Sequence, residues 1–478
     1  MTIRVYDTFD AKRKEFVPVR AGKVGMYMCG MTVQDKPHVG HMYAFVCGDT
    51  IRRYLEFRGY EVTYVQNFTD VDDKIIARAI AEGVDYKVIA ERYTADYFKY
   101  ADMLNIKEAT LHPRATDHIG DIIDLVNTLV SKGLAYEAGG DVYFEVSKFQ
   151  AYGRLSKKNI EDLRAGARIE VGEHKRSPMD FALWKAAKAG EPYWDSPWGR
   201  GRPGWHIECS AMSMKYLGST FDIHAGGADL IFPHHENEIA QSEGASGQKY
   251  VNFWMHNGLL NLSGEKMSKS TGHFFAIEDI AREFEPDVIR FYLISTHYRS
   301  PMEFSRDRLA EAGAAVNRMR NVFRSVESYI GDEKPAGSAG DLSGRDLELW
   351  DGILKREKAF IEAMDDDFNT AGAIGYAFEI AREINTYLKG DETGGKRLVL
   401  SMGLAKIKEL GDVLGIFRGI GGEIIPVSEL PHEVEVLVEE RSRARKARDW
   451  AIADEIRTQL AARGYFLEDR PEGTIVRK

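Results

Sequence analysis

The chain has 478 residues, of which 44% are hydrophobic and 29% charged, with a formal net charge of −10. At roughly 100–200 residues per domain this length predicts two to four folding units, and the composition excludes wholesale disorder. The acidic balance excludes nonspecific coating of nucleic acid as the main task, while leaving local basic patches available for specific binding. No run reaches the ~18–20 uncharged apolar residues of a membrane helix. Arg4, Asp7, Asp10, Lys12 and Arg13 interrupt the start of the chain, where a secretory signal would be apolar. Cys29, Cys47 and Cys209 are too few for a disulfide framework, so a reducing cytoplasm is the expected compartment.

The first third reads as α/β. Val24–Cys29 has strand length, and a helix is predicted from Pro37–His38, with Phe45, Val46, Ile51, Tyr54 and Leu55 on one apolar face. Gly59 ends it, and Glu61–Val65 is a second strand. This strand–helix–strand unit is the building block of a parallel sheet. Helices are predicted near Val71–Glu82, Asp85–Leu104 and Asp117–Lys132. From about Gly133 to Gly204 the pattern changes to a strand at Tyr143–Val146 and a turn-rich stretch at Gly190–Pro203, which reads as an insertion. The α/β pattern resumes from Trp205 to Leu262. Gly331–Gly344 and Gly419–Pro431 read as linkers. Asp346–Arg418 between them is helical in spacing, and residues 432–478 read as a helix pair with a turn-rich tail.

Three constellations carry chemistry. Pro37-His38-Val39-Gly40-His41 lies where a strand gives way to a helix, with Pro37 suited to the first helical turn. Helix-terminal N–H groups favour phosphate, Gly40 admits a flat ring against the backbone, and His38 and His41 share a face. Taken alone, two ordinary histidines at a helix start is the plainer reading. Lys266-Met267-Ser268-Lys269-Ser270 sets two lysines beside hydroxyls, which suits charge developing on a pyrophosphate leaving group. A generic lysine-rich loop would be a solvated turn. The order and separation of these two segments resemble the ATP signatures of class I aminoacyl-tRNA synthetases.

The third constellation resembles a metal site. His234 and Glu238 are one helical turn apart, Cys209 lies in Trp205-His206-Ile207-Glu208-Cys209, and Cys29 closes the first strand. Two thiolates, an imidazole and a carboxylate suit zinc, although the spacing is that of no compact zinc finger and buried free cysteine is common. A metal beside the nucleotide turn could take a substrate thiolate as an added ligand, discriminating by one atom where an apolar pocket separates near-isosteres poorly.

Over nearly its whole length the sequence resembles the cysteinyl-tRNA synthetases. The matching stretches are Met28–Val33, His38–His41, Tyr64–Lys74, Gly204–Met212, Gly226–Gln241, Lys266–Ser270 and Asp366–Thr370. The resemblance implies an α/β fold. A Rossmann-type catalytic domain would span residues 1–265, with an insertion at about 115–204, and a signature-loop and stem-contact region would follow at 266–330. A helical tRNA-binding domain at 331–425 and a small anticodon-binding domain at 426–478 would complete the chain. It implies Zn2+ held by Cys29, Cys209, His234 and Glu238, and ATP with Mg2+ met by His38, Gly40, His41, Lys266 and Lys269. The cysteine pocket would be lined by Cys29, Thr69, Trp205, His224, Asp229 and His256, with Asp229 meeting the substrate ammonium. L-cysteine, ATP and tRNA(Cys) are the implied partners, with no membrane, and a monomer is the expected state.

The chain departs from the family pattern at Met31, where Pro is usual, and at Gln34, where Tyr is usual. Met42-Tyr43-Ala44 also stands in place of a small residue, Arg and Thr. Methionyl-tRNA synthetases share the ATP motifs but carry a Cys-x-x-Cys knuckle that this chain lacks. Cysteine ligases of the mycothiol pathway lack the long C-terminal region that follows Gly331 here. A catalytically silent RNA-binding paralogue would need neither ATP motif.

Other residues have plainer expectations. Asp70, Asp72 and Asp73 read as caps and solvation of the following helix rather than a magnesium site, and Cys47 as core. His235, Glu236 and Asn237 are expected to face away from the metal-like cluster. Arg441, Arg443, Arg445, Lys446 and Arg448 read as a solvated helix face available to phosphate. Trp450, Tyr465 and Phe466 are candidates for stacking on anticodon bases.

Overall fold

The computed structural model describes residues 2–158, 174–262, 265–266, 275–331, 335–418, 424–447, 449–470 and 473–477. An N-terminal hairpin of β1 (Arg4–Asp7) and β2 (Lys12–Glu15) leads into β3 (Lys23–Met28), α1 (Val39–Phe57) and β4 (Glu61–Gln66). α1 buries Phe45, Val46, Ile51, Tyr54 and Leu55, the face that its spacing predicts. Its N-cap is His38, so Pro37 stands one residue before the cap rather than inside the first turn. The His38 ring nitrogen accepts the His41 N–H and takes the capping role. After Phe57 the chain turns at Gly59, whose φ of 88° is the left-handed conformation that glycine adopts without strain.

α2 (Asp73–Glu82) and α3 (Tyr86–Met103) follow. Asp72 caps α2 by accepting the Lys74 N–H, whereas Asp70 is buried on Thr116 and Asp73 pairs with Lys185 and Arg202. Only Asp72 is therefore a cap. The other two fasten neighbouring segments. After α4 (Ile119–Ser131), strands β5 (Ala135–Ala138), β6 (Asp141–Phe144), β7 (Phe181–Ala186) and β8 (Gly201–Pro203) form a separate antiparallel sheet in that order.

The parallel sheet resumes with α5 (Trp205–Leu217), β9 (Phe221–Gly227), α6 (Glu236–Ser246) and β10 (Val251–Asn257). Its order is β10-β9-β3-β4, and Tyr27 of β3 is registered against Val65 on one side and His224 on the other. The connection from β3 runs through α1 to β4, while β9 lies on the opposite side. The carboxyl ends of β3 and β9 thus flank the point where strand order reverses, the usual position of a ligand crevice in such sheets.

β11 (Leu260–Leu262) and β12 (Glu265–Lys266) follow, then α7 (Ile277–Glu283), α8 (Pro286–Leu293), β13 (Met302–Glu303) and α9 (Arg306–Ile330). Phe275 and Pro37 carbonyls accept N–H groups from Val39 and Ile277, so the start of α1 is tied to the segment before α7. The helices α10 (Gly344–Asp365), α11 (Thr370–Leu388) and α12 (Lys396–Leu414) share a continuous apolar core with α1, α8 and α9. Last come β14 (Ile424–Ile425), α13 (His432–Lys446), α14 (Trp450–Ala462), β15 (Phe466–Arg470) and β16 (Gly473–Arg477), around their own core of Leu430, Val434, Val438, Ile456, Leu460 and Val476.

Three readings of this last segment change. The tail is an antiparallel hairpin extended by β14 rather than turn-rich, because Leu467 and Val476 alternate into the core. Tyr465 is buried in that core and offers no face to a base, while Trp450 is 58% exposed. Arg441 is buried, so it does not belong to the solvated face that carries Arg443 and Lys446, and Arg448 lies outside the described residues. Cys47 is core, and burial pushes its thiol up to about 12. Among the described residues no helix is long and apolar enough to cross a membrane.

Candidate metal and nucleotide site

Cys29 follows the last residue of β3, and the chain there admits only glycine next. A Cβ on Gly30 would stand 1.5 Å from the Asn67 carbonyl oxygen. The Gly30 N–H also donates to Asn67 Oδ1 at 2.9 Å, which fixes Cys29 at the mouth of the crevice. Cys209 comes from the second turn of α5. His234 lies in an irregular turn over Ile231–His235, and Glu238 in the first turn of α6.

These four side chains are buried and converge, with one ligand atom of each within 4.8 Å of the others. Cys29 Sγ is 3.7 Å from Cys209 Sγ and 3.6 Å from Glu238 Oε1, and His234 Nε2 is 3.1 Å from the same oxygen. Zinc bonds of ~2.3 Å to sulfur and ~2.0–2.1 Å to nitrogen or oxygen set tetrahedral edges of about 3.8 Å (S to S), about 3.5 Å (S to O) and about 3.3 Å (N to O). The observed separations follow that sequence, and the donor set fits zinc. A second group, Cys29, His224, His235 and Glu238, shares two of these residues. Its His224 Nε2 to Glu238 Oε2 separation of 2.8 Å is that of a hydrogen bond, and it offers one thiol rather than two.

Burial and mutual contact shift all four of these groups. Burial drives the Cys29 thiol well above its ordinary value, and Cys209 and Glu238 add to that. The hydrogen bond from Cys29 draws Cys209 down to about 6 against its burial. Burial lowers His234, but Glu238 and Cys209 outweigh it and hold the imidazole at about 10. Burial alone would raise Glu238, yet His224 and His234 hold it well below the carboxylate range. Cys29 thus keeps its proton, while Cys209 and Glu238 favour their charged forms beside the His234 cation.

The surroundings orient the ligand atoms. His206 Nδ1 lies 2.8 Å from His234 Nδ1, leaving His234 Nε2 turned inward. The Tyr250 hydroxyl donates to Glu238 Oε2 at 3.2 Å. His235, expected to face away, has its Nε2 3.3 Å from Cys29 Sγ and its Nδ1 2.7 Å from His256 Nε2. His235 and Glu238 are three residues apart, a spacing that shares a helix face, and His235 Nε2 lies 3.9 Å from Glu238 Oε1. Glu236 and Asn237 do point elsewhere, onto Gly153, Ser156 and Tyr152. His206 lies three residues before Cys209, a helical spacing that could have found it, whereas nothing in the sequence marked Tyr250.

Of the remaining expected residues, Trp205 packs on His234, His224 meets Glu238, and His256 meets His235. The Trp205 ring, 40% exposed, lies 4.4 Å from that of His234. Thr69 is buried and donates its hydroxyl to Glu208 at 2.8 Å. Asp229 is exposed on the turn after β9. Burial and then His224 hold His256 down at about 3, and its Nδ1 is 2.9 Å from the Thr8 hydroxyl. At the N-terminus of α1 the His38 and His41 rings stack 3.5 Å apart, and a Cβ on Gly40 would come 3.0 Å from the His38 ring. Lys266 lies in β12, and Lys269 lies outside the described residues.

Residues 15–314 match the family model described as tRNA synthetases class I (C) catalytic domain, 359–418 a DALR domain, and 427–477 a cysteinyl-tRNA ligase anticodon binding domain. The cysteine--tRNA ligase of Geobacter sulfurreducens is 51% identical over 99% of both chains. That of Heliobacterium modesticaldum is 50% identical over the full length of both. A structure of Mycobacterium tuberculosis methionyl-tRNA synthetase with methionyl-adenylate shares the fold, with a TM-score of 0.62 at 15% identity over 82% of this chain and 91% of that one. The chain belongs to the class I cysteinyl-tRNA synthetase family.

Proposed function

We propose that the chain activates L-cysteine with ATP and Mg2+ and transfers it to the 3′ end of tRNA(Cys). The cysteine carboxylate attacks the α-phosphorus, giving cysteinyl-adenylate and pyrophosphate, and a terminal ribose hydroxyl of the tRNA then takes the acyl group and releases AMP. The observation that carries this reading is the convergence of two thiols, an imidazole and a carboxylate at the switch point of the sheet.

His38, His41, Lys266 and Lys269 stabilise charge on the phosphates, and Gly40 lets the nucleotide approach the backbone. Cys29, Cys209, His234 and Glu238 hold zinc, which when bound supplies a position that accepts a thiolate and favours cysteine over serine or methionine. Trp205, Thr69, His224 and His256 line the amino-acid pocket, and Asp229 meets the ammonium. Residues 1–265 form the catalytic domain, with about 115–204 inserted, and 266–330 carry the second ATP segment and a stem contact. Residues 331–425 and 426–478 hold the tRNA stem and anticodon, with Trp450 available for stacking.

The test is tRNA charging with ATP, Mg2+, labelled cysteine and total tRNA, with serine and methionine as controls. Attachment of cysteine alone is the expected result. Adenylate without charged tRNA would assign another acceptor, and no cysteine-dependent use of ATP would overturn the reading.

A further inference from the structure

Asp367 links the helical region to the edge of the parallel sheet. It sits between α10 and α11 at a φ of 65°, and its carboxylate is fully buried. That carboxylate accepts the Tyr6 N–H at 2.8 Å, the Tyr298 hydroxyl at 2.9 Å and Arg299 Nε at 2.7 Å. A non-glycine residue in the left-handed region at the centre of such a network is held there by its surroundings.

Tyr298 carries the connection onward. Its carbonyl accepts the Gly258 N–H at 2.7 Å, one residue past β10, and the Tyr43 hydroxyl at 3.1 Å. Gly258 packs so closely on the same loop that a Cβ there would stand 2.3 Å from the Ser300 carbonyl oxygen. Tyr43 is buried in the second turn of α1, two residues after His41, and is one of the residues by which the chain departs from the family motif. The loop that holds Tyr298 therefore grips both α1, just past the histidine pair, and the strand end that leads to β11 and β12.

We propose that Tyr298, anchored by Asp367 and bonded to Tyr43, is a positioning residue for ATP. It fixes the first turns of α1, and with them His38 and His41, relative to the helices that follow residue 344. The inference rests on the ATP-dependent reading above. Of the proposed cysteine pocket only His256 lies near this loop, two residues before Gly258. The Tyr298 carbonyl that holds Gly258 is backbone and survives every substitution below, so the Tyr43 contact acts on the nucleotide.

Cysteine-dependent ATP–pyrophosphate exchange by the full chain tests this, comparing the unaltered protein with Tyr43→Phe, Tyr298→Phe and Asp367→Asn. Each substitution removes a hydroxyl or a charge with little change in volume. Loss of one such bond is expected to raise the KM for ATP by about 3- to 10-fold, with zinc content and the KM for cysteine unchanged. Because the residues act in series, Tyr43→Phe combined with Asp367→Asn should shift the KM no more than the larger single change. If Asp367→Asn fails to fold, the two Tyr→Phe variants carry the comparison.

An unchanged KM for ATP in soluble Tyr43→Phe would overturn the inference. Equal shifts for ATP and cysteine would do the same, as would additive shifts in the double variant. Absence of exchange in the unaltered chain would instead overturn the functional reading beneath it.

Discussion

His206 and His234 face each other through their Nδ1 atoms at 2.8 Å, with burial and then His234 holding His206 well below the ordinary imidazole range. A ring kept neutral can act as the partner that fixes its neighbour's orientation, and His234 is left with Nε2 turned toward Glu238 at 3.1 Å. Partners of this kind typically contribute a factor of ~10–100 to metal affinity. His206→Ala should therefore weaken zinc binding by about that factor, measured by competition with a chromogenic chelator. Unaltered affinity would show that His234 needs no such support.

The two thiols make a sharper test, because serine keeps the shape of cysteine and loses a soft ligand. Cys209 lies 3.7 Å from Cys29 and both are buried, so no solvent group can replace either. Cys209→Ser should lower bound zinc and cysteine activation together, read by elemental analysis and pyrophosphate exchange. Full zinc with unaltered cysteine dependence would remove Cys209 from the ligand set.

The sequence was most legible where spacing alone decides which side chains meet. The apolar face of α1 follows from helical period, and the meeting of His234 with Glu238 follows from one helical turn. Cys29 and Cys209 come together from positions 180 apart, a proximity that only the family resemblance could suggest. What escaped notice depends on distant packing. His235 shares the face of Glu238 at a spacing of three and packs on Cys29 from the distant β3 end, and Tyr250 reaches Glu238 from just before β10. The C-terminal hairpin read as turn-rich, although Gly473 opens β16 and pairs with Arg470.

Gly30 supplies a backbone test with an internal control. Its missing side chain is filled by the Asn67 carbonyl at 1.5 Å, so alanine forces β3 and the residues after β4 apart beside Cys29. Overpacking of this kind costs about 1–3 kcal/mol, and here it also displaces a proposed ligand. Gly30→Ala should give less soluble protein and less zinc per chain. Gly120, in α4, has nothing within 4 Å of an added Cβ. Gly120→Ala should be neutral or stabilising by up to about 1 kcal/mol, and equal loss in both variants would refute the close-approach argument.

The buried pair of Arg290 and Asp49 makes a prediction about pH. The two groups meet at 2.5 Å where α8 crosses α1, and Arg290 also donates to the Leu104, Asn105 and Leu414 carbonyls. Burial raises the Asp49 carboxyl, but Arg290 and then Arg53 outweigh it, so its folded value lies below the ordinary 3.8. For such a group the stabilisation is present above the unfolded value and is lost as pH falls through the folded one. Arg290→Met leaves Asp49 buried with Arg53 alone, at 2.7 Å, and should cost about 3–5 kcal/mol at neutral pH. The same substitution moves the Asp49 carboxyl upward, so acid relieves the variant first and the deficit narrows as pH approaches 4. Urea denaturation of both proteins at pH 8 and pH 4.5 measures this. A deficit that stayed constant, or widened in acid, would mean that Arg290 stabilises through its three carbonyl contacts and not through the charge of Asp49.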